Sequence, residues 1–329
     1  MESPRPDLMQ STSGAFGSMK RILFQPFDIA KWFVLGFSAW LAHLMESGGS
    51  FSSGNYQESW DSGSSQEDQQ AIETFTEWIG ENTGLVIAIA SGVLIVLLAT
   101  YVVLAWVRSR GKFMLLDNVV HNRCQVKQPW SEFKKEGNSL FRWALLLTAV
   151  FLGAMVIVAS LSGSYVYETI KESSWTAQSV TTMVVIGVVV LIITLVWAYI
   201  HMLLEHFVVP LMYRDRCTGT EAWKKFLPLH RAALGWFVLY ALWLFVLGLG
   251  FGVLILLLGL GTCCIGFVLM AIPYIGAVIL LPATVFFRCL GPDYLRQFGA
   301  QYDALSIAVP VPELEQATVT HGGLGEGPE

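Results

Sequence analysis

From Ala233 to Phe287 the chain carries no charged side chain. A helix needs about 20 mostly apolar residues to cross the hydrocarbon core of a bilayer. This run is therefore long enough for two crossings, and the glycines of Gly259-Leu-Gly-Thr-Cys-Cys264 mark a turn between them. Four further stretches read as spans: Ile29 to Met45, Leu85 to Val107, Trp143 to Val166 and Val180 to Ile200. Composition agrees, because 54% of the 329 residues are hydrophobic and 14% are charged, against roughly 25% charged in a soluble domain. No single soluble core hides that much apolar surface. The net charge of −5 excludes nucleic-acid binding of the basic-patch kind. Five cysteines in a chain of this length do not make a disulfide scaffold.

Lys and Arg gather in the cytoplasmic loops of membrane proteins, whereas Asp and Glu count for little. With six spans, every Lys and Arg except Lys171 falls on one side, if Lys31 lies at the inner edge of the first span. Residues 46–84 contain no Lys or Arg but carry eight acidic side chains. The expected fold is an all-α membrane protein with six transmembrane helices and both termini inside, in a bacterial inner membrane. The apolar part of the first span, Phe33 to Met45, is about as long as a signal-peptide core. The polar stretch ahead of it and the lack of a small-x-small site argue that it is retained.

An internal repeat organises these spans. Arg123-Cys124 is followed by Trp130, Phe133 and Trp143, and Arg216-Cys217 by Trp223, Phe226 and Trp236, with identical spacing. Arg288-Cys289, Leu295 and Phe298 form a partial third copy. The reading is three hairpins, at about 19–124, 125–217 and 218–289, each entered through an amphipathic elbow helix on the inner leaflet. Arg at a span exit can snorkel to lipid phosphate. Trp and Phe three apart share a helical face suited to the headgroup boundary. Arg123, Trp130, Phe133, Arg216, Trp223, Phe226, Arg288 and Phe298 are thus the expected membrane-interface anchors. Val180 to Tyr213 is apolar for longer than a bilayer needs, so this helix should tilt, kink at Pro210 or project inward.

Outside the six-helix domain at 19–303, residues 1–18 and 304–329 are expected to be disordered tails. In the outer loop 46–84, Ile72, Phe75, Trp78 and Ile79 form an apolar stripe, which would pack on the bundle or dock a partner. His201 and Glu205 are four apart and share a face. They read as an interfacial polar pair, with a metal or proton site as the sharper alternative, while His206 points elsewhere. Cys124, Cys217 and Cys289 would sit on the reducing side, where disulfides are rare. Asp117 is expected to be solvated. No catalytic signature and no midplane charge is found in the spans, so neither an enzyme nor a cofactor is expected.

At the Arg-Cys elbows, and at Phe24-Gln-Pro-Phe-Asp-Ile-Ala-Lys-Trp-Phe33, the chain resembles poorly characterised bacterial polytopic membrane proteins. These are similar to the membrane domain attached to some glycerophosphodiester phosphodiesterases. The resemblance spans about 20–300 and does not include their catalytic barrel, so it implies no such activity. The expected role is a non-enzymatic scaffold or subunit of a membrane complex, in contact with lipid and another membrane protein. The alternative is a transporter or handler of a lipid or small apolar molecule.

Overall fold

The computed structural model describes residues 6–25, 27–44, 74, 77–78, 80–121, 125–171, 176–262 and 265–304. Among them there is helix but no strand. In chain order the helices are α1 (Leu8–Phe24), α2 (Ile29–Ala42), α3 (Thr83–Val120), α4 (Lys127–Glu132) and α5 (Lys134–Lys171). Next come α6 (Ala177–Leu203), a π-helical turn (Leu204–Val208), α7 (Val209–Asp215), α8 (Gly219–Ala232) and α9 (Leu234–Gly261). The chain closes with α10 (Ile265–Ala271), α11 (Pro273–Ile279) and α12 (Leu281–Leu295), then two 3-10 turns.

Four helical segments are long and apolar enough to cross a membrane: Thr83–Val120, Lys134–Gly163, Ala177–Asp215 and Leu234–Gly261. Their most apolar stretches are not buried inside the chain. The first expected span, α2, has only 14 residues, or about 21 Å at ~1.5 Å per residue. The expected final crossing is not one helix but three short ones. Pro273 and Pro282 lie at the starts of α11 and α12, where a missing N–H costs nothing. In mid-helix the same residues would break the ladder. The turn between the last two apolar runs is where the glycines put it, with α9 ending at Gly261.

Several helices run well past the expected spans. α3 has 38 residues, about 57 Å at ~1.5 Å each, against a hydrocarbon core of about 30 Å. The excess lies at one end, and there it is packed. In α3 the buried residues run from Ser109 to Val120, and in the α6–α7 segment, apart from Ser179 in the first turn, from Leu203 to Tyr213. With α1, α2, α8 and α12 these ends build a closed base, whose core includes Phe113, Phe133, Phe207, Phe226, Phe237, Tyr240 and Tyr294. The molecule thus has a packed base and an open apolar half.

The overlong fourth helix solves its proline problem locally. Pro210 offers no N–H to His206 O and would crowd it. The helix widens to a π turn just before it, with Val209 N donating to Leu204 O, the usual relief where the ladder is interrupted. α12 crosses at this turn. A Cβ on Gly291 would fall 2.2 Å from His206 O, so only glycine admits this approach. Likewise a Cβ on Gly111 of α3 would meet the Leu41 backbone of α2 at 2.8 Å.

One expectation is corrected at the N-terminus. Residues 8–18 are not a disordered tail but most of α1. Asp7 caps it by accepting from Met9 N and Gln10 N. Ser11, Ala15, Met19, Ile22 and Leu23 form its buried stripe, spaced three and four apart as a core-facing helix requires. The stripe packs along α12, and Gln297 Nε2 donates to Asp7 O and Ser11 Oγ. Short polar residues had hidden this stripe in the sequence. The other expected tail, beyond residue 304, lies outside the described residues.

Candidate functional site

The base holds most of the buried charge, and its densest cluster is built where three helices meet. Lys112 projects from α3, Glu205 from the π turn and Arg288 from α12. Lys112 Nζ donates to Glu205 Oε1. Arg288 Nη1 donates to Glu205 Oε2 at 3.3 Å, and its Nη2 to Lys112 O at 3.3 Å. His201 Nε2 stands 3.8 Å from Glu205 Oε1, and Arg108 lies within electrostatic reach of the same carboxylate. The side chains of Lys112, Arg288 and Glu205 are only 7%, 12% and 14% exposed. Buried charges of this kind need partners, and Glu205 supplies one for several cations. Arg288 Nε is buried without a hydrogen-bond partner.

His201 and Glu205 therefore share a face as the spacing predicts, but Glu205 is engaged by cations rather than held ready for a metal. His206 does point elsewhere, with its Nδ1 2.8 Å from Tyr240 Oη. Among the described residues no group of three or more His, Cys, Asp or Glu could hold a metal ion.

A second cluster lies nearby on α3 and α7. Asp117 is fully buried, which corrects the expectation of a solvated carboxylate. Tyr213 Oη donates to Asp117 Oδ1 at 3.0 Å, and His121 Nδ1 lies 3.1 Å from the same oxygen. α3 continues past the expected span end, so Asp117 enters the base instead of water. Next to it, Asn118 ties the following loop, donating to Gln125 O and accepting from Gln125 N, both at 3.0 Å.

The expected interface anchors need correction too. Phe133 is 1% exposed and Phe226 fully buried. Phe133 stacks between Phe113 and Tyr213, at centroid distances of 5.9 and 5.0 Å. Phe226 stacks on Phe207 at 5.4 Å and meets Phe237 edge-on at 5.2 Å. Phe298 lies parallel to Phe237 at 5.4 Å. These rings fill protein, not lipid, because the overlong helices bring their own ends down to cover them. Arg288 likewise pairs with Glu205 instead of snorkelling. Trp130 and Trp223 are half-buried. Trp130 meets Trp106 edge-on at 6.0 Å, and Trp223 meets Phe226 in the same way at 6.0 Å. Arg216 is closest to the expected placement, at 45% side-chain exposure. Its guanidinium lies 3.9 Å over the Phe133 ring and pairs with Glu132. Those contacts hold it in the left-handed region, at φ 50°, to cap α7.

Arg123 and Cys124 lie outside the described residues, as do Ile72, Phe75 and Ile79 of the apolar stripe; Trp78 of that stripe is exposed. Of the cysteines on the repeat, Cys217 and Cys289 are buried. Burial pushes the Cys289 thiol up to about 12, so it is no nucleophile at neutral pH.

A third buried carboxylate, Asp293 of α12, faces α1. A Cβ on Gly14 would lie 3.2 Å from its Oδ1. Arg296 Nε is 3.3 Å from the same oxygen, while Oδ2 is buried without a partner. Burial outweighs Arg296 and raises this carboxyl to about 6. Sequence reading missed Lys112, Arg288 and Asp293 as a buried set, because Lys112 sits in the basic stretch Arg108-Ser-Arg110-Gly-Lys112 and Asp293 lies between Arg288 and Arg296, a pattern that reads as a solvated interface.

Residues 8–310 match a family described as a family of unknown function (DUF7544). No curated protein and no solved structure matches the chain.

Proposed function

Starting from a chain that belongs to this family of unknown function, we propose a non-enzymatic role as scaffold or subunit of a membrane complex. The observation that carries this reading is the contrast between the two halves. The base is close-packed and interlocked, while the most apolar stretches of all four long helices have no cover from their own chain. Lipid covers part of such a surface, and helices of another membrane protein suit the rest. In this reading the four long helices cross the bilayer, while α2 lies against the base, where Asn118 Nδ2 donates to Ser38 Oγ at 3.2 Å. It pairs there with α11, Tyr274 Oη donating to Phe33 O at 2.9 Å. The base then faces the cytoplasm with both termini, as the distribution of Lys and Arg favours, in a bacterial inner membrane.

Cross-linking in native membranes followed by purification in mild detergent tests this. Recovery of one stoichiometric membrane partner, joined through residues of the long helices, is the expected result. An uncross-linked, monodisperse monomer from the same membranes refutes it. Handling of lipid between the hairpins is a second reading, favoured by the basic cluster at the inner ends of the spans.

A further inference from the structure

We propose that Arg110, at the foot of the apolar part of α3, forms with Asn138 and Arg142 of α5 a site for the phosphate of an anionic phospholipid. The site rests on the long helices crossing a bilayer and is independent of any protein partner. Gly137 of α5 makes room for the arginine stem, since a Cβ there would fall 2.8 Å from Arg110 Cγ and 3.4 Å from its Cα. The guanidinium carbon lies 4.3 Å from the Trp106 ring centroid and 5.5 Å from that of Trp130, and the two rings meet edge-on. Arg110 Nη2 and Trp106 Nε1 both donate to Asn138 Oδ1 at 3.1 Å. The planar fork is thus fixed before any ligand arrives, which lowers the cost of binding. Among the described residues Arg110 makes no ion pair. Its one hydrogen bond goes to the neutral Asn138, and its Nε is enclosed without a partner. Neither an amide nor an indole ring neutralises the guanidinium. Asn138 Oδ1 is taken twice, which leaves its Nδ2 as a donor. Arg142 lies four residues on, along the same face of α5. It is exposed and likewise makes no ion pair among the described residues. Two arginines and an amide N–H are suited to phosphate oxygens.

Depth selects the source of the phosphate. Arg110 stands just past Val107, where the apolar stretch of α3 ends. Val103, Trp106 and Arg110 are three and four apart and share a face, and Val103 is 58% exposed. On α5 the row Asn138, Arg142, Leu146 leaves the base in the opposite chain direction, and Leu146 is 54% exposed. Both rows therefore lead from uncovered aliphatic side chains to arginine, with the indole of Trp106 between them on α3. That is the order of environments a phospholipid presents: acyl chain, headgroup boundary, phosphate. A free anion uses only the last of these. Basic pockets between helices on the cytoplasmic side bind anionic headgroups by this chemistry. A zwitterionic lipid brings its own cation and leaves the two arginines unanswered.

Full-length protein in phosphatidylcholine vesicles, with and without phosphatidylglycerol, provides the test. The expected result is a higher thermal midpoint with phosphatidylglycerol, and its retention over phosphatidylcholine in native mass spectrometry. Arg110→Gln lowers that preference by roughly fivefold, as expected for losing one basic contact to an anionic lipid. Arg110→Lys keeps the charge but loses the fork and its stacking, so it lowers the preference too. Arg142→Gln, a change at an exposed side chain, acts in the same direction. Lys224→Gln, on the exposed face of α8, leaves the preference unchanged. If Arg110→Gln does not fold, the wild-type comparison and Arg142→Gln decide the matter. Equal behaviour of wild-type protein in the two vesicles overturns the proposal, and so does a preference that Arg142→Gln leaves intact. Inorganic phosphate giving the whole rise in phosphatidylcholine would overturn the lipid as source. Failure to enter phosphatidylcholine vesicles at all would overturn the membrane reading, and this site with it.

Discussion

Gly291→Ala isolates the contact on which the base closes. The added methyl would stand 2.2 Å from His206 O and 2.9 Å from His206 C, both backbone atoms. No rotamer change can relieve the clash. α12 must back away from the π turn by about 1 Å to restore ordinary contact, and such a gap already forfeits a quarter to a half of each dispersion well. Overpacking of this kind costs roughly 1–3 kcal/mol. The better helix propensity of alanine returns about 1 kcal/mol. We expect a net loss of about 1 kcal/mol, and at most about 2 kcal/mol, read as a drop of a few degrees in the thermal midpoint of detergent-purified protein, followed by tryptophan fluorescence. Gly248→Ala supplies the opposite sign. Nothing lies within 4 Å of its added methyl, so only the propensity gain remains and the midpoint should hold or rise. A Gly291→Ala protein as stable as Gly248→Ala would refute the account of how α12 meets the π turn.

Three further changes probe the base. Asp293→Asn tests the buried carboxyl: a rise from 3.8 to about 6 corresponds, at 1.36 kcal/mol per tenfold change in the proton equilibrium, to about 3 kcal/mol. The fold favours the neutral form, so this contribution is present below about pH 4 and lost as pH rises through about 6. The variant should therefore melt higher than wild type at pH 8 and together with it near pH 4; a gain at pH 4 alone would reverse the sign argued here. Phe226→Ala should cost about 3–5 kcal/mol, the usual range for a buried ring. A loss within ~0.5 kcal/mol in the same melting assay would instead support a lipid-facing anchor. Glu205→Gln removes the carboxylate charge that Lys112 and Arg288 share and should cost about 3 kcal/mol, again as a lowered midpoint. Unchanged melting would show that the carboxylate does not hold the three helices together.

Hydropathy was enough to find the long helices, because each apolar run exceeds what any soluble helix needs. It could not say where they stop. α3, α5 and α6 continue beyond their apolar stretches into polar sequence, where lipid no longer dictates the pattern and helix–helix packing does. Hydropathy alone therefore ends the second span at Val107, although α3 reaches Val120. The same blindness applies to α1. Its stripe of Ser11, Ala15 and Met19 is small and weakly apolar, so it resembles a tail until α12 is laid against it. The final crossing failed for another reason. Composition from Ile265 to Phe287 is that of one span, but two prolines, Pro273 and Pro282, break it into short helices.

The repeat was legible as spacing and misleading as chemistry. Aromatic residues three apart beside an arginine suit a headgroup boundary and a protein core equally well. What separates the two is whether other chain segments reach the same depth, and that depends on helix lengths that spacing does not contain. Once the overlong helices are in place, Phe133 and Phe226 must be interior, because Phe113, Tyr213 and Phe207 arrive from other helices to meet them. The charges follow the same logic. Lys112, Glu205 and Arg288 are far apart in sequence and unremarkable one at a time. Only the π turn before Pro210 and the glycine at 291 bring their helices close enough to share one carboxylate. An apolar side chain in the open half can be exchanged for another at little cost, since lipid accepts any of them. A change in the base must satisfy fixed backbone, stacked rings and buried charge together. The identity of individual residues therefore matters most at the base, and that is where a function specific to this chain has to be sought.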